Sequence, residues 1–215
     1  MSVAGAVALA MAERVERAAG RRAGLRAFRA VAATSVDPEV RGKAVILALG
    51  CAVALDDREA LAELTALWAS VDRGVWDDEV TALCKAMVRA GRTDRAISLS
   101  AAEARRHRTA RSLYLHARCL ELGSGGAAVV PWPGYARLTE AFRDAVNRAE
   151  NEGARAIELA ARVRRVAILA RSWQTMPEAL EEAGRLPLPS LRAADRLPVV
   201  RVLLVSPSRF TRASA

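Results

Sequence analysis

Breakers of helical structure recur along this chain at Gly20, Asp56, Gly91 and Gly123, at intervals of 36, 35 and 32 residues. Each interval has room for two short helices and one tight turn, so a near-constant spacing restricts the fold more than any single motif does. The pattern is clearest around Gly91. Val80, Leu83, Cys84, Met87 and Val88 before it share one helical stripe, and Ala96, Ile97, Leu99 and Ala104 after it form another. Glycine ends the first helix, and Thr93 or Asp94 can accept hydrogen bonds from the unpaired amides that open the second. The predicted unit is a helix, a corner and an antiparallel helix.

The same unit can be laid on either side. Helices are expected over 3–19 and 22–33, then over 43–55 and, past Asp56 and Asp57, to about 71. Farther on, one helix ends at Gly123, and its mate starts only at about Tyr135, carrying Phe142 and Ala145 at matching positions. Between them, 124–134 reads as an inserted loop with Trp132 flanked by two prolines. A last pair runs through 154–172 and on from Pro177, a residue suited to a first helical turn. Aromatic residues make up only 4% of the chain and Ala, Leu, Glu and Arg dominate, a balance that favours an all-α protein.

Leu83, Cys84, Met87, Gly91, Ala96 and Ile97 resemble the signature of a tetratricopeptide repeat, with Ser100 where that family places an aromatic. The resemblance covers roughly residues 3–185. It implies a right-handed α-solenoid of about five antiparallel helix pairs over 1–186, followed by a Pro-rich C-terminal tail over 187–215. It also implies a concave groove lined by the first helix of each pair. Its candidate lining residues are Lys43, Ile46, Thr81, Lys85, Arg89, Leu113, Tyr114, Ala117, Arg164, Arg165, Ile168 and Arg171. No asparagine occupies these positions, so the family's clamp for a terminal carboxylate does not carry over, whereas the cations suit an acidic segment.

The tail differs in kind. Pro187, Pro189, Pro198 and Pro207 punctuate it, and VVRVLLV over 199–205 reads as a short extended strand. Such a strand needs covering, either by docking on the last helices or by self-association with another chain, and the basic end beyond it is expected to be disordered.

Net charge is +9, almost all from arginine, since Lys43 and Lys85 are the only lysines. The cations are mostly interleaved with Glu and Asp, as on a solvated helical surface. The densest basic patch is Arg105, Arg106, Arg108 and Arg111, and a phosphate backbone would be its natural ligand. Cys51, Cys84 and Cys119 lie 33 and 35 residues apart without a CxxC pair, which points to small buried residues of a reducing compartment, not to a disulfide framework or zinc site. Neither a metal-binding HExxH nor a phosphate-cradling GxxxxGK[ST] or nucleophile-bearing GxSxG is present, so no metal, cofactor or catalytic residue is expected. The apolar N-terminus lacks a preceding basic segment and reads as a first helix, and no run approaches the roughly 18 apolar residues of a membrane span. The expectation is a cytoplasmic, non-enzymatic scaffold or adaptor that binds a peptide or helix, acidic by preference, with no membrane partner. The alternative is a regulatory module of a transcription or signalling system that contacts nucleic acid through the basic patch.

Overall fold

The computed structural model describes residues 2–70, 77–124, 132–191 and 193–205, with the side chains of 77, 132, 133 and 205 left aside. Among the described residues there are eleven α-helices, two short 3-10 turns and no strand. The helices are α1 (Val3–Ala19), α2 (Arg21–Thr34), α3 (Pro38–Leu55), α4 (Arg58–Ser70), α5 (Asp77–Arg89), α6 (Thr93–His107), α7 (Ala110–Gly123), α8 (Trp132–Glu152), α9 (Arg155–Leu169), α10 (Met176–Gly184) and α11 (Ala193–Val205). The 3-10 turns are Trp173–Thr175 and Leu188–Ser190. The chain is all-α, and no described helix is long and apolar enough to cross a membrane.

The corners have a common construction. Asp56, Gly91 and Gly153 all take positive φ, at 54°, 72° and 66°. After each, the next amide reaches back to close the helix: Asp57 N donates to Ala52 O, Arg92 N to Met87 O and Ala154 N to Ala149 O, at 3.0, 2.8 and 2.8 Å. These are Schellman closures, which satisfy carbonyls the helix leaves without partners. Gly20 also takes a positive φ, of 82°. Gly123 differs, since it is the last residue of α7 and Ser124 after it has an ordinary φ of −73°. Most of the expected 124–134 loop, namely 125–131, lies outside the described residues, as does the Trp132 side chain. α8 begins at Trp132 itself, because a proline in the first turn gives up only an amide that has no partner there anyway.

The described helices belong to two compact units, Met1–His107 and Arg108–Ala215. In the first, α3 is central. It packs on α1, α2, α4 and α5, and Val40, Ala44, Val45, Ala48, Leu49 and Ala52 are wholly enclosed on several of its faces. A helix that is apolar nearly all round must be surrounded in this way. Asp37 starts it, its carboxylate accepting from Glu39 N at 3.0 Å and Val40 N at 3.3 Å. Contacts join α1 to α2, α2 to α3, α3 to α4 and α5 to α6, and they reach the next helix but one in α1 with α3, α3 with α5 and α4 with α6.

Side-chain hydrogen bonds in this unit repeat a sequence separation. Ser2 N donates to Asp37, Arg29 to Glu63, Cys51 Sγ to Glu16, Trp68 Nε1 to Glu103, Arg92 to Asp56 and Arg106 to Ala69 O, across 35, 34, 35, 35, 36 and 37 residues. That recurrence is compatible with a helical repeat. Around Gly91, Leu83, Cys84, Met87, Ala96 and Ser100 are buried and Ile97 is half-buried.

In the second unit α9 is central, packing on α7, α8, α10 and α11. Phe142, Ala145, Ala161 and Ile168 form one wholly buried cluster between α7, α8 and α9. A second cluster joins Val163, Val166 and Leu169 to Ala179, Ala183, Val199 and Val202.

That second cluster corrects the reading of the tail. Residues 199–205 are helical, within α11, and not an extended strand. In a strand, alternation would put Arg201 on the same face as Val199 and Leu203. The helix instead buries Val199 and Val202 against α9 and α10 and leaves Arg201 exposed. Packing therefore overrides both the β-branched composition and Pro198 inside the helix. The tail is covered by docking on the last helices, and the basic end at 206–215 lies outside the described residues.

Candidate functional site

The twelve groove candidates divide sharply. In the first unit, Lys43 is exposed on α3, Lys85 and Arg89 are exposed on α5, Thr81 is half-buried and Ile46 is buried. On α3 the exposed Lys43 and Ala54 and the half-buried Leu47 and Gly50 follow helical spacing, as do the exposed Ala82, Lys85 and Arg89 on α5. Because α3 and α5 pack together, these two stripes belong to neighbouring helices. Lys43, Lys85 and Arg89 make no ion pair among the described residues, which leaves their charges available. Arg89 lies in the last turn of α5, where the helix dipole favours a cation.

In the second unit the candidates are mostly engaged. Ala117 and Ile168 have no exposure and sit in the cluster around Phe142, so they cannot touch a ligand. Leu113 and Tyr114 are half-buried against that cluster, with the Tyr114 ring edge-on to Phe142 at 6.1 Å. Burial raises the Tyr114 phenol above its ordinary pKa, so it stays protonated at neutral pH. Arg165 is drawn into ion pairs with Glu178 and Glu182, and Arg164 lies 3.7 Å from Glu121. Among the described residues Arg171 is exposed and makes no ion pair. The basic patch is also divided: Arg105 and Arg106 are exposed in the last turn of α6, while Arg108 and Arg111 belong to the second unit. Arg106 donates to Ala69 O at 3.0 Å, and Arg108 is exposed with φ at 49°.

Sequence reading missed a charge lattice on α8, α9 and α10. Arg162 pairs with Glu150, with Glu158 at 3.0 Å and with Glu182 at 3.4 Å, and Arg155 donates to Glu158 at 2.7 Å. Burial opposes the charge on Glu158, but hydrogen bonds from Arg155 and Arg162 outweigh it and hold the carboxyl below its usual range. At Glu182 burial prevails over Arg165 and Arg162, and its carboxyl is pushed up. The i, i+4 spacing of Glu158 and Arg162 was visible in the sequence. The partners on other helices were not.

Two cavities accompany these features. In the second unit, about 270 Å³ is lined by Tyr135, Thr139, Glu140, Arg143, Arg165, Thr175 and Glu178 among others. Its polar groups already bond to one another: the Tyr135 hydroxyl donates to Ile168 O at 3.1 Å and meets Thr175 Oγ1 at 2.7 Å, and Arg143 reaches Glu140 at 3.2 Å. In the first unit, a cleft of about 540 Å³ lies between Arg29, Ala30, Ala33, Arg41, Glu63, Leu64 and Leu67. Among the described residues no group of three or more His, Cys, Asp or Glu side chains could hold a metal. Comparison with protein-family models, with curated proteins and with solved structures finds no match.

Proposed function

We propose that this chain is a non-enzymatic protein-binding module, built as a right-handed solenoid of antiparallel helix pairs, that captures an acidic peptide segment across α3 and α5. The hydrogen-bond separation of 33 to 37 residues, which extends to Tyr135 and Ile168 O in the second unit, supports the stacked-pair arrangement. One observation carries the ligand class. Lys43, Lys85 and Arg89 stand exposed, and without ion pairs among the described residues, on two packed helices. Small residues between them, Gly50, Ala54 and Ala82, let a bound segment approach the helices closely. Rigid helices reduce the ordering cost of binding, and the cations select ligand sign and speed encounter more than they add affinity.

The test is fluorescence anisotropy of labelled peptides on the full chain. An acidic peptide should bind, a neutral peptide of the same length should bind at least about tenfold more weakly, and the preference should shrink as salt is raised. The triple variant Lys43→Glu, Lys85→Glu, Arg89→Glu should abolish the preference, while Arg185→Glu on α10 should leave it intact. Equal binding by the triple variant rejects the site. Tighter binding to a mixed-sequence oligonucleotide than to any peptide favours the nucleic-acid reading instead.

A further inference from the structure

The outer face of α1 is apolar where a solvated helix would be polar. Val3, Val7, Met11 and Val15 are 82%, 54%, 62% and 40% exposed, at a constant spacing of four. No charged residue occurs from Val3 to Ala12, and the inner face of the helix is already satisfied by Leu9 and Ala12, which are buried. The exposed stripe therefore plays no part in the core of its own unit. Contiguous apolar exposure of this kind marks an interaction surface.

Its internal symmetry indicates what covers it. The four side chains are disposed evenly about residue 9, so an antiparallel second copy of α1 sets Val3 against Val15 and Val7 against Met11, twice over. Beside the first two turns lies a hollow of about 230 Å³ lined by Ala4, Ala8, Val31, Val36 and Val40 among others. Met11 is a long, flexible side chain near the other end of the stripe. A two-fold axis brings each copy's Met11 towards the other's hollow, which is the self-complementarity an isologous interface requires. Charge agrees with this direction. Arg14 and Arg17 are exposed at the C-terminal end of α1, where Glu13 and Glu16 are half-buried and Glu16 is held by Arg21 at 3.3 Å, while Asp37 sits at its N-terminal end, with its carboxylate 2.5 Å from Ser2 N. Antiparallel pairing sets the arginines of one copy beside Asp37 of the other, and parallel pairing would set arginine beside arginine.

We propose that two copies of this chain associate through antiparallel α1 helices about a two-fold axis near residue 9. The apolar stripe is small for an interface, so the dimer is weak, with a dissociation constant on the order of 10 to 100 µM.

Sedimentation velocity of the full chain across a concentration series tests this. The mass should rise from 23.0 kDa towards twice that value. Met11→Glu, at a position 62% exposed, should keep its helical circular dichroism and unfolding midpoint yet weaken association by on the order of a hundredfold. Mild oxidation supplies the register. A mixture of Val3→Cys and Val15→Cys chains should form the mixed disulfide, because antiparallel pairing places these residues opposite one another. Each variant alone should not, since like positions would be about 18 Å apart along the axis. The three native cysteines are buried and do not compete. A wild type that stays monomeric to about 500 µM overturns the proposal. So does a Met11→Glu chain that dimerises as the wild type does, or a Val3→Cys chain that cross-links to itself as readily as to Val15→Cys. Chains that remain single in solution but sediment with phosphatidylcholine–phosphatidylglycerol vesicles in a Met11-dependent manner overturn it in favour of a lipid surface.

Discussion

Two glycines should respond to the same substitution with opposite signs. Gly91 is held at φ 72°, in the left-handed region, and a methyl group added there would meet no atom within 4 Å. Any cost of Gly91→Ala is therefore backbone strain, not crowding. The left-handed conformation disfavours an L side chain by about 1 to 2 kcal/mol. Gly50 lies inside α3 with ordinary helical geometry and equally open surroundings. There alanine restricts the unfolded chain and favours the helix, a gain of about 0.5 to 1 kcal/mol. The separation between the two variants is thus about 1.5 to 3 kcal/mol, from one methyl group in each. Urea unfolding followed by far-ultraviolet circular dichroism, with a common slope, measures it. Gly91→Asn should recover part of the loss, because asparagine tolerates this region better than alanine. If Gly91→Ala and Gly50→Ala shift the midpoint in the same direction, the corner is not a Schellman closure that requires a left-handed residue.

Other outcomes follow from the charge lattice and the thiols. The folded pKa of Glu158 lies below its ordinary value of 4.5, so its ion pairs with Arg155 and Arg162 stabilise the fold above that value and cease to do so as pH falls through the depressed one. Glu158→Gln should accordingly cost about 1 to 3 kcal/mol near neutrality and progressively less in acid, read from unfolding midpoints at several pH values. A penalty that grows on acidification contradicts this sign. Burial first, and then the neighbouring carboxylate of Glu16, push the Cys51 thiol up to about 11. Iodoacetamide at pH 8 should leave Cys51 unmodified in the folded chain for as long as the fold persists and alkylate it promptly in urea, as peptide mass spectrometry would show. Rapid native labelling would mean that α1 opens from α3.

How much could be read without coordinates is clearest at particular residues. Helix periodicity together with breakers at Gly20, Asp56 and Gly91 places α1 to α6, although α3 starts at Pro38, five residues before the expected Lys43, because these signals are local: an apolar stripe, a capping oxygen, a residue that accepts positive φ. The 35-residue rhythm of corners likewise anticipates the rhythm of contacts from Arg29 to Glu63 and from Trp68 to Glu103. Local signals failed where a distant surface decided. VVRVLLV prefers an extended chain on its own, and only the apolar faces of α9 and α10 make a helix the better way to bury Val199 and Val202 while freeing Arg201. The candidate site divided along the same line. Lys43, Lys85 and Arg89 are exposed, but Arg165 is paired with Glu178 and Glu182 on α10, and Ile168 is enclosed by α7 and α8. Sequence determined which segments coil and where they turn, since those preferences act over a few residues. Tertiary structure decided which charges stay free and which faces remain bare, since both depend on neighbours that lie far apart along the chain.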